Sequence, residues 1–240
     1  MISHKNDIFK TTINILNKNN INYWVCHGTL LGIIRDNKLL SWDSDIDFAV
    51  WDDEYTKEEI LVTFSQDNRF KLEIVPEESN SLHFSILKTR VDINFYSRDT
   101  KIAYIKWSAL PKNYIFKALY FIVEFISNNK SVERNLNFKG KNSKDLIRSI
   151  ITLPLYILRI VLPKSLKLIL YKSMINKLDL IGYSFPLELM KFKYMKFLNI
   201  NIVVPVDSKK VLEHTYGNSW NVPKKNYIWY EEANNLFRQN

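Results

Sequence analysis

The sequence predicts an α+β fold: a mixed sheet with flanking helices, carrying a mostly helical insertion. Three observations lead there. Gly28-Thr29 opens a short helix-like stretch, and an alternating aspartate run (Asp43, Asp45, Asp47) follows on a strand-like segment, DIDFAV. Three further strand-patterned runs lie close behind it, within residues 70–96. After Pro111 the pattern turns helical and mixes apolar with basic residues.

The elements follow in order. Asp7 to Lys18 has helical spacing (Ile8, Thr12, Ile15, Leu16) and runs into a turn at Asn19-Asn20. Asn22 to Cys26 reads as a short strand, Thr29 to Arg35 as a short helix, and Asp36-Asn37 as a turn. Asp45 to Val50 is the aspartate strand. A strand repeats every two residues, so Asp45 and Asp47 share one face and Ile46 and Phe48 the other. Asp53 to Phe64 reads as a helix with Asp53 as its cap. Phe70 to Val75, Leu82 to Leu87, Val91 to Tyr96 and Lys101 to Trp107 read as strands, the second and third joined as a hairpin by Lys88-Thr89-Arg90. Ser143 to Leu162 and Ser165 to Leu178 read as helices parted by Pro163. Asn201 to Val206 is a short apolar run. Asp207 caps a helix that Gly217 ends after Tyr216. These readings divide the chain into a catalytic core at 1–110, an insertion at 111–195, and a C-terminal part at 196–240 that packs back on the core.

Composition narrows the classes. The 240 residues suit one large domain with an insertion, and the 46% hydrophobic content is enough for a core. Glycine is scarce, and no Gly-rich phosphate loop of the Walker or dinucleotide type is present. The single cysteine, Cys26, excludes an internal disulfide and a Cys-rich zinc site. MISHKNDIFKTT lacks the apolar core of a signal peptide, and no uninterrupted apolar run has a membrane-spanning length. The net charge of +9 asks for an anionic partner. Its densest source is 130–177, with eleven Lys or Arg and two acids. Within it, residues 148–177 interleave Arg148, Arg159, Lys164, Lys167, Lys172 and Lys177 with apolar stripes. That pattern suits an anionic membrane surface or a pair of ordinary helices with solvated basic faces. No recognition motif accompanies the charge, so nucleic acid is not expected.

The aspartates carry the chemistry. Adjacent carboxylates repel unless a cation lies between them, and Mg²⁺ is the hard, oxygen-seeking cation that arrives with phosphates. Strand, Gly-Thr, short helix, then Asp-x-Asp on the next strand resembles the layout of a nucleotidyltransferase site of the polymerase-β type. A third carboxylate is expected on a later neighbouring strand, and Asp92 in RVDINFY occupies such a place. The Gly28-Thr29 backbone at a helix start offers N–H donors to a phosphate. The plain alternative is a solvated turn and edge strand, against which the apolar Ile46, Phe48, Ala49 and Val50 argue.

HGTLLGIIRDNKLLSWDSDIDFAV resembles the signature of the LicD/fukutin-related family: GTLLG, an Arg, then Trp-Asp-x-Asp-apolar-Asp. VVPVDSKKVLEHTYGNSWNVPKK resembles a second family block, and VDINFY its intermediate strand. Residues 97–195 match nothing in the family pattern. The resemblance implies a nucleotidyltransferase-type fold. It also implies Mg²⁺-dependent (or Mn²⁺-dependent) transfer of a phospho-alcohol from a CDP-linked donor to a glycan hydroxyl, with phosphocholine, ribitol phosphate or glycerol phosphate as cargo. A lipid-linked acceptor would explain contact with a membrane surface. By the same resemblance Asp45 and Asp47 are metal ligands, and Asp92 is a third ligand that draws the proton from the attacking hydroxyl. Asp43 is auxiliary. Arg35 binds phosphate or orients the aspartates, or else forms a structural salt bridge with one of them. Trp42 stacks on a base or walls the site. Tyr216 and Trp220 close over the nucleotide beside Gly217. His27 touches substrate or is structural; His83 and His214 are assigned no role, and Lys88 reads as a solvated strand-end lysine. The alternatives are a true nucleotidyltransferase taking NMP from an NTP, and a non-catalytic membrane-surface assembly protein. The expected location is cytoplasmic, or peripheral on the inner face of the cytoplasmic membrane.

Overall fold

The computed structural model describes residues 2–73, 80–109, 113–127, 154–175, 178–224 and 227–239. The chain divides into two units, Met1–Trp107 with Ile181–Gln239, and a second formed by Ser108–Leu180. The second unit ends at Leu180.

The first unit is built on a mixed sheet. Its strands are β1 (Trp24–Val25), β2 (Asp45–Trp51), β3 (Lys71–Leu72), β4 (Ser81–Ile86), β5 (Thr89–Arg98), β6 (Ile102–Ala109), β7 (Asp179–Pro186) and β10 (Leu236–Gln239). The main order is β1-β2-β5-β6-β7-β10, with β4 also on β5 and β3 on β4. β2 and β5 run parallel, whereas β1 meets β2, and β4 meets β5, antiparallel. β5 is buried over Val91–Tyr96 between these partners, where only Asp92 and Asn94 are polar. A separate hairpin joins β8 (Phe192–Phe197) to β9 (Ile200–Pro205). Leu198 and Asn199 both take positive φ there, the geometry of a tight two-residue hairpin turn.

Helix α1 (Ile2–Lys18) covers one sheet face with Phe9, Ile13 and Leu16, all almost fully buried. Phe9 stacks on Phe48 at 5.5 Å and meets Phe197 edge-on at 5.6 Å. Burying a side chain of this size contributes about 1.5–3 kcal/mol, so these three anchor the helix. Helix α2 (His27–Asp36) connects β1 to the aspartate strand and ends on Asn37 in the left-handed conformation.

Helix α3 (Lys57–Ser65) starts later than its sequence pattern suggests. Thr56, not Asp53, is the cap: Thr56 and Glu59 form a reciprocal capping box. Asp53 instead accepts from Arg98 Nε at 2.9 Å. The strand expected at Phe70–Val75 is regular only over Lys71–Leu72, with 74–79 outside the described residues.

Residues 179–205 form β7, β8 and β9 with one short 3-10 turn at Leu187–Leu189, rather than part of a helical region. The reason is a period of two in LIGYSF: Ile181, Tyr183 and Phe185 are buried in alternation. Gly182 lies where β7 presses on β6; a Cβ there would collide with the Ile105 carbonyl oxygen and stand 2.6 Å from Phe237 Cζ.

In the second unit, helix α4 (Tyr114–Ile126) is capped by Asn113, and α5 spans Lys164–Ile175. Residues 154–161 are also helical; the rest of the helix expected from Ser143 lies outside the described residues. Back in the first unit, helix α6 (Ser208–Tyr216) begins as expected, with Asp207 accepting from the Lys210 N–H.

Candidate active site

The site forms where the start of α2 meets β2 and β5. Cys26 caps α2 in an extended conformation, and its N–H donates to the Asp47 carbonyl at 3.3 Å. The buried Thr29 hydroxyl accepts the Asp47 N–H at 2.8 Å, pinning the first turn of α2 to the aspartate strand. Gly28 lies close to the carboxylates: a Cβ there would displace the Asp43 carboxylate and come within 4.0 Å of Asp47 Oδ2. Glycine thus brings the first peptide of the helix against the carboxylates.

The parallel register sets Asp45 opposite Arg90 and Asp47 opposite Asp92. Asp43, Asp45, Asp47 and Asp92 gather around this register as one electrostatic cluster. Two cations hold it. Arg90 forks Asp92 with bonds of 2.7 and 2.8 Å and reaches Asp45 Oδ2 at 2.6 Å. Lys5, from α1, donates to the backbone oxygens of Asp43 at 3.0 Å and Leu40 at 3.2 Å, within the field of three aspartates.

Two cations do not balance four carboxylates, of which Asp47 and Asp92 are buried and Asp43 and Asp45 half-buried. Burial, then the hydrogen-bonded Asp45, pushes Asp43 up to about 8. Burial pushes Asp92 up to about 7 despite Arg90. Burial and then the charges of Asp45, Asp92 and Asp43 drive Asp47 well above the carboxylate range. Asp45 moves the other way: burial opposes its ionisation, but the proton from Asp43 and the charges of Arg90 and Lys5 hold it low. Burial lowers Lys5, and the three aspartates only partly offset this.

This donor set fits a hard divalent cation in chemistry and charge: all oxygen, buried, and short of positive charge. Among the described residues no three acidic, His or Cys side chains already converge as ligands. Asp45 and Asp92 are turned to Arg90 instead.

Arg35 does not join the cluster. It pairs with Asp36 through two bonds of 2.9 Å, and its guanidinium lies 5.9 Å from the Trp42 ring. Trp42 is 65% exposed, so it is not packed as a buried wall. His27, at positive φ, is ringed by Tyr96, Trp107 and Tyr183, and burial holds it down to about 4. It is a neutral wall group that touches Tyr96 Oη at 3.3 Å. Tyr216 is brought near: its half-buried phenol, pushed well above its usual range by its surroundings, feels Tyr183, Tyr227 and the charges of Asp47 and Asp43. Gly217 ends α6 at φ 81, beside Asn234. That conformation suits glycine and assigns it a structural place.

Arg90, Lys5, Tyr183 and Asn94 stand at the site without having been picked out by the sequence pattern. Arg90, expected in the hairpin connection, instead lies on β5, which starts at Thr89, and being two residues before Asp92 it shares that residue's strand face. Asn94, two residues beyond, shares that face and donates to the Phe48 carbonyl at 3.2 Å, tying β5 to β2. Lys5 is 38 residues from Asp43 and carries no local signal.

A carboxylate cluster thus lies on paired parallel strands, seated against the start of α2 on a mixed α+β fold. The chain belongs to the LicD/FKTN/FKRP nucleotidyltransferase-domain family, whose model matches residues 20–157, and this match makes it a transferase domain of the nucleotidyltransferase type. Two curated relatives, uncharacterized proteins of Rickettsia prowazekii and Rickettsia typhi, are each 40% identical over 60 residues. Those segments cover 25% of this chain, and 23% and 19% of the relatives' lengths respectively. Among solved structures, the antibiotic-resistance factor ANT(2'')-Ia in solution aligns over 74% of this chain and 94% of its own, at 10% identity and TM-score 0.37. A crystal structure of ANT(2'')-Ia with adenylyl-2''-tobramycin aligns over 71% and 97%, at 10% identity and TM-score 0.34. A likeness this loose bears on nothing beyond itself.

Proposed function

We propose that this protein transfers a phospho-alcohol from a CDP-linked donor to a sugar hydroxyl of a cell-surface glycan, with Mg²⁺ or Mn²⁺ bound at the aspartates. The observation that carries the reading is the in-register pair Asp47 and Asp92, with Asp45 and Asp43 alongside, against the Gly28 end of α2. The cargo fitting the family is phosphocholine, ribitol phosphate or glycerol phosphate.

The acceptor oxygen attacks the phosphorus bearing the alcohol. The bond from that phosphorus to the oxygen bridging it to CMP breaks, and CMP leaves. The acceptor proton passes to Asp92, whose level near 7 suits a group that takes up a proton near neutrality. Asp45 and Asp47 would hold the cation, which when bound supplies charge neutralisation to the diphosphate. The α2 N-terminus offers N–H donors to a phosphate oxygen, and Gly28 permits that approach. Half-buried Tyr216 brings aromatic surface near the carboxylates, where a base or sugar can rest, with Tyr183 packed in the core beside it. Arg90 has the chemistry to move from Asp45 and Asp92 to donor phosphate as the cation takes the carboxylates.

The family's description as a nucleotidyltransferase domain supports a second reading, NMP transfer from an NTP. Product analysis separates the two. CDP-choline, CDP-ribitol and CDP-glycerol are incubated with Mg²⁺ and glycan acceptors, and NTPs are tested in parallel. CMP release that needs Mg²⁺ and is lost in Asp47→Ala supports the first reading. Pyrophosphate release from an NTP supports the second, and neither product from the wild-type protein overturns both.

A further inference from the structure

More than half of the exposed large hydrophobic side chains among the described residues lie on α4, residues 154–161 and α5. These three helical segments belong to the inserted unit. They do pack on one another. Phe125 of α4 meets Tyr156 at 6.2 Å, Arg159 lies over both rings, and Ser127 Oγ donates to the Lys167 carbonyl at 3.3 Å. Tyr171, Glu124 and Ile126 are buried in the unit.

The sides turned away from those contacts stay apolar. Ile157, Ile160 and Val161 form an i, i+3, i+4 triplet, the last two 72% exposed. Leu166, Ile169 and Leu170 repeat the spacing on α5, with Ile169 63% exposed, and Ile115 with Leu119 forms the matching pair on α4. Helices of a water-soluble unit put polar residues on such a side. Isolated exposed hydrophobics need no explanation, but contiguous helical triplets do.

The charge says which occupant fits. Lys117, Arg159, Lys164, Lys167 and Lys172 are interleaved with these residues. The sole acid among the described residues of the three segments is Glu124, which is buried. A second copy would set cations against cations, whereas an anionic bilayer surface complements both the apolar stripes and the basic residues. No helix among the described residues is long and apolar enough to cross a membrane, so the contact lies in the plane of the interface. We propose that α4, residues 154–161 and α5 form an in-plane seat for an anionic lipid bilayer. Basic-apolar alternation in the sequence points only to residues 148–177; α4 joins them because the fold packs it on α5.

The seat is independent of the reaction proposed above, and its test needs no turnover. The full chain is sedimented with vesicles of phosphatidylcholine alone and of phosphatidylcholine with one-third phosphatidylglycerol. Binding should be at least tenfold tighter to the anionic vesicles and weaken as salt is raised. Ile115→Glu, Ile160→Glu and Ile169→Glu combined should reduce it at least tenfold, while circular dichroism and the melting temperature stay unchanged. Lys164→Glu with Lys167→Glu should remove the preference for phosphatidylglycerol. Absence of vesicle binding by the wild-type chain overturns the proposal. So does binding that the triple variant retains. A concentration-dependent dimer abolished by the triple variant, without vesicle binding, overturns it in favour of a second copy.

Discussion

Asp47 and Asp92 occupy paired positions on adjacent parallel strands, both buried, and of the two, Arg90 bonds Asp92. Arg90 spends its bonds on Asp92 and Asp45, and Asp47 bears the repulsion of its neighbours. Such a group is held for chemistry at the expense of stability. Asp47→Asn should therefore abolish CMP release while raising metal-free stability by about 1 kcal/mol, within the range usual for relieving a strained functional site. Urea unfolding without divalent metal measures the second effect; a marked loss of stability would show that Asp47 is a structural group.

Gly28→Ala separates positioning from folding. Alanine is the better helix former by about 1 kcal/mol, so the fold should survive. The added methyl must displace the Asp43 carboxylate. Turnover should fall at least tenfold with the melting temperature within a few degrees of wild type, as a misplaced group near the chemistry commonly costs this much. Turnover like wild type would show that the close approach of helix and carboxylate is not needed.

Arg90→Met leaves buried Asp92 and half-buried Asp45 without their guanidinium. Removing one partner of a buried pair costs about 3 kcal/mol. The variant should be destabilised by that order in EDTA and recover part of the loss in millimolar Mg²⁺, because a divalent cation then supplies the missing charge. Calorimetric melts with and without Mg²⁺ test it, and equal losses in both conditions would rule out exchange between arginine and metal.

The pH dependence follows from the cluster. Asp43 titrates near 8 and Asp92 near 7 in the folded protein, against 3.8 for a free aspartate, while Asp47 is raised as well. In that window the folded state holds more protons than the unfolded chain. Stability therefore declines as pH rises from about 4 through about 8. Metal-free unfolding across pH 5 to 8.5 should show a falling midpoint, and Asp43→Asn should flatten the slope. A midpoint that rises with pH would mean the aspartates are already compensated.

Much of the site is legible along the chain because its chemistry is local in sequence. Gly28, Thr29 and the aspartates sit within twenty residues, and the period-two rule alone places Asp45 and Asp47 on one face. Asp92 is legible for the same reason, as a lone carboxylate in a buried strand. Arg35 is misleading: it adjoins the motif in sequence, but its neighbour Asp36 satisfies it, and the arginine at the carboxylates is Arg90. Residues 179–195 resemble a continuation of the greasy helices before them, and only the short alternation of Ile181, Tyr183 and Phe185 marks β7 as a strand.

What the sequence determined by itself was the α+β class, the glycine-led helix, and the aspartate strand with its one polar face. Strand and helix periods and turn chemistry act over a few residues and leave their mark in order. What only the tertiary structure decided was register and charge balance. Parallel pairing of β2 with β5 sets Asp47 against Asp92 and Asp45 against Arg90, and α1 brings Lys5 to the backbone of Asp43 from 38 residues away. Those contacts depend on how apolar faces pack across the sheet, and no spacing in the chain encodes them.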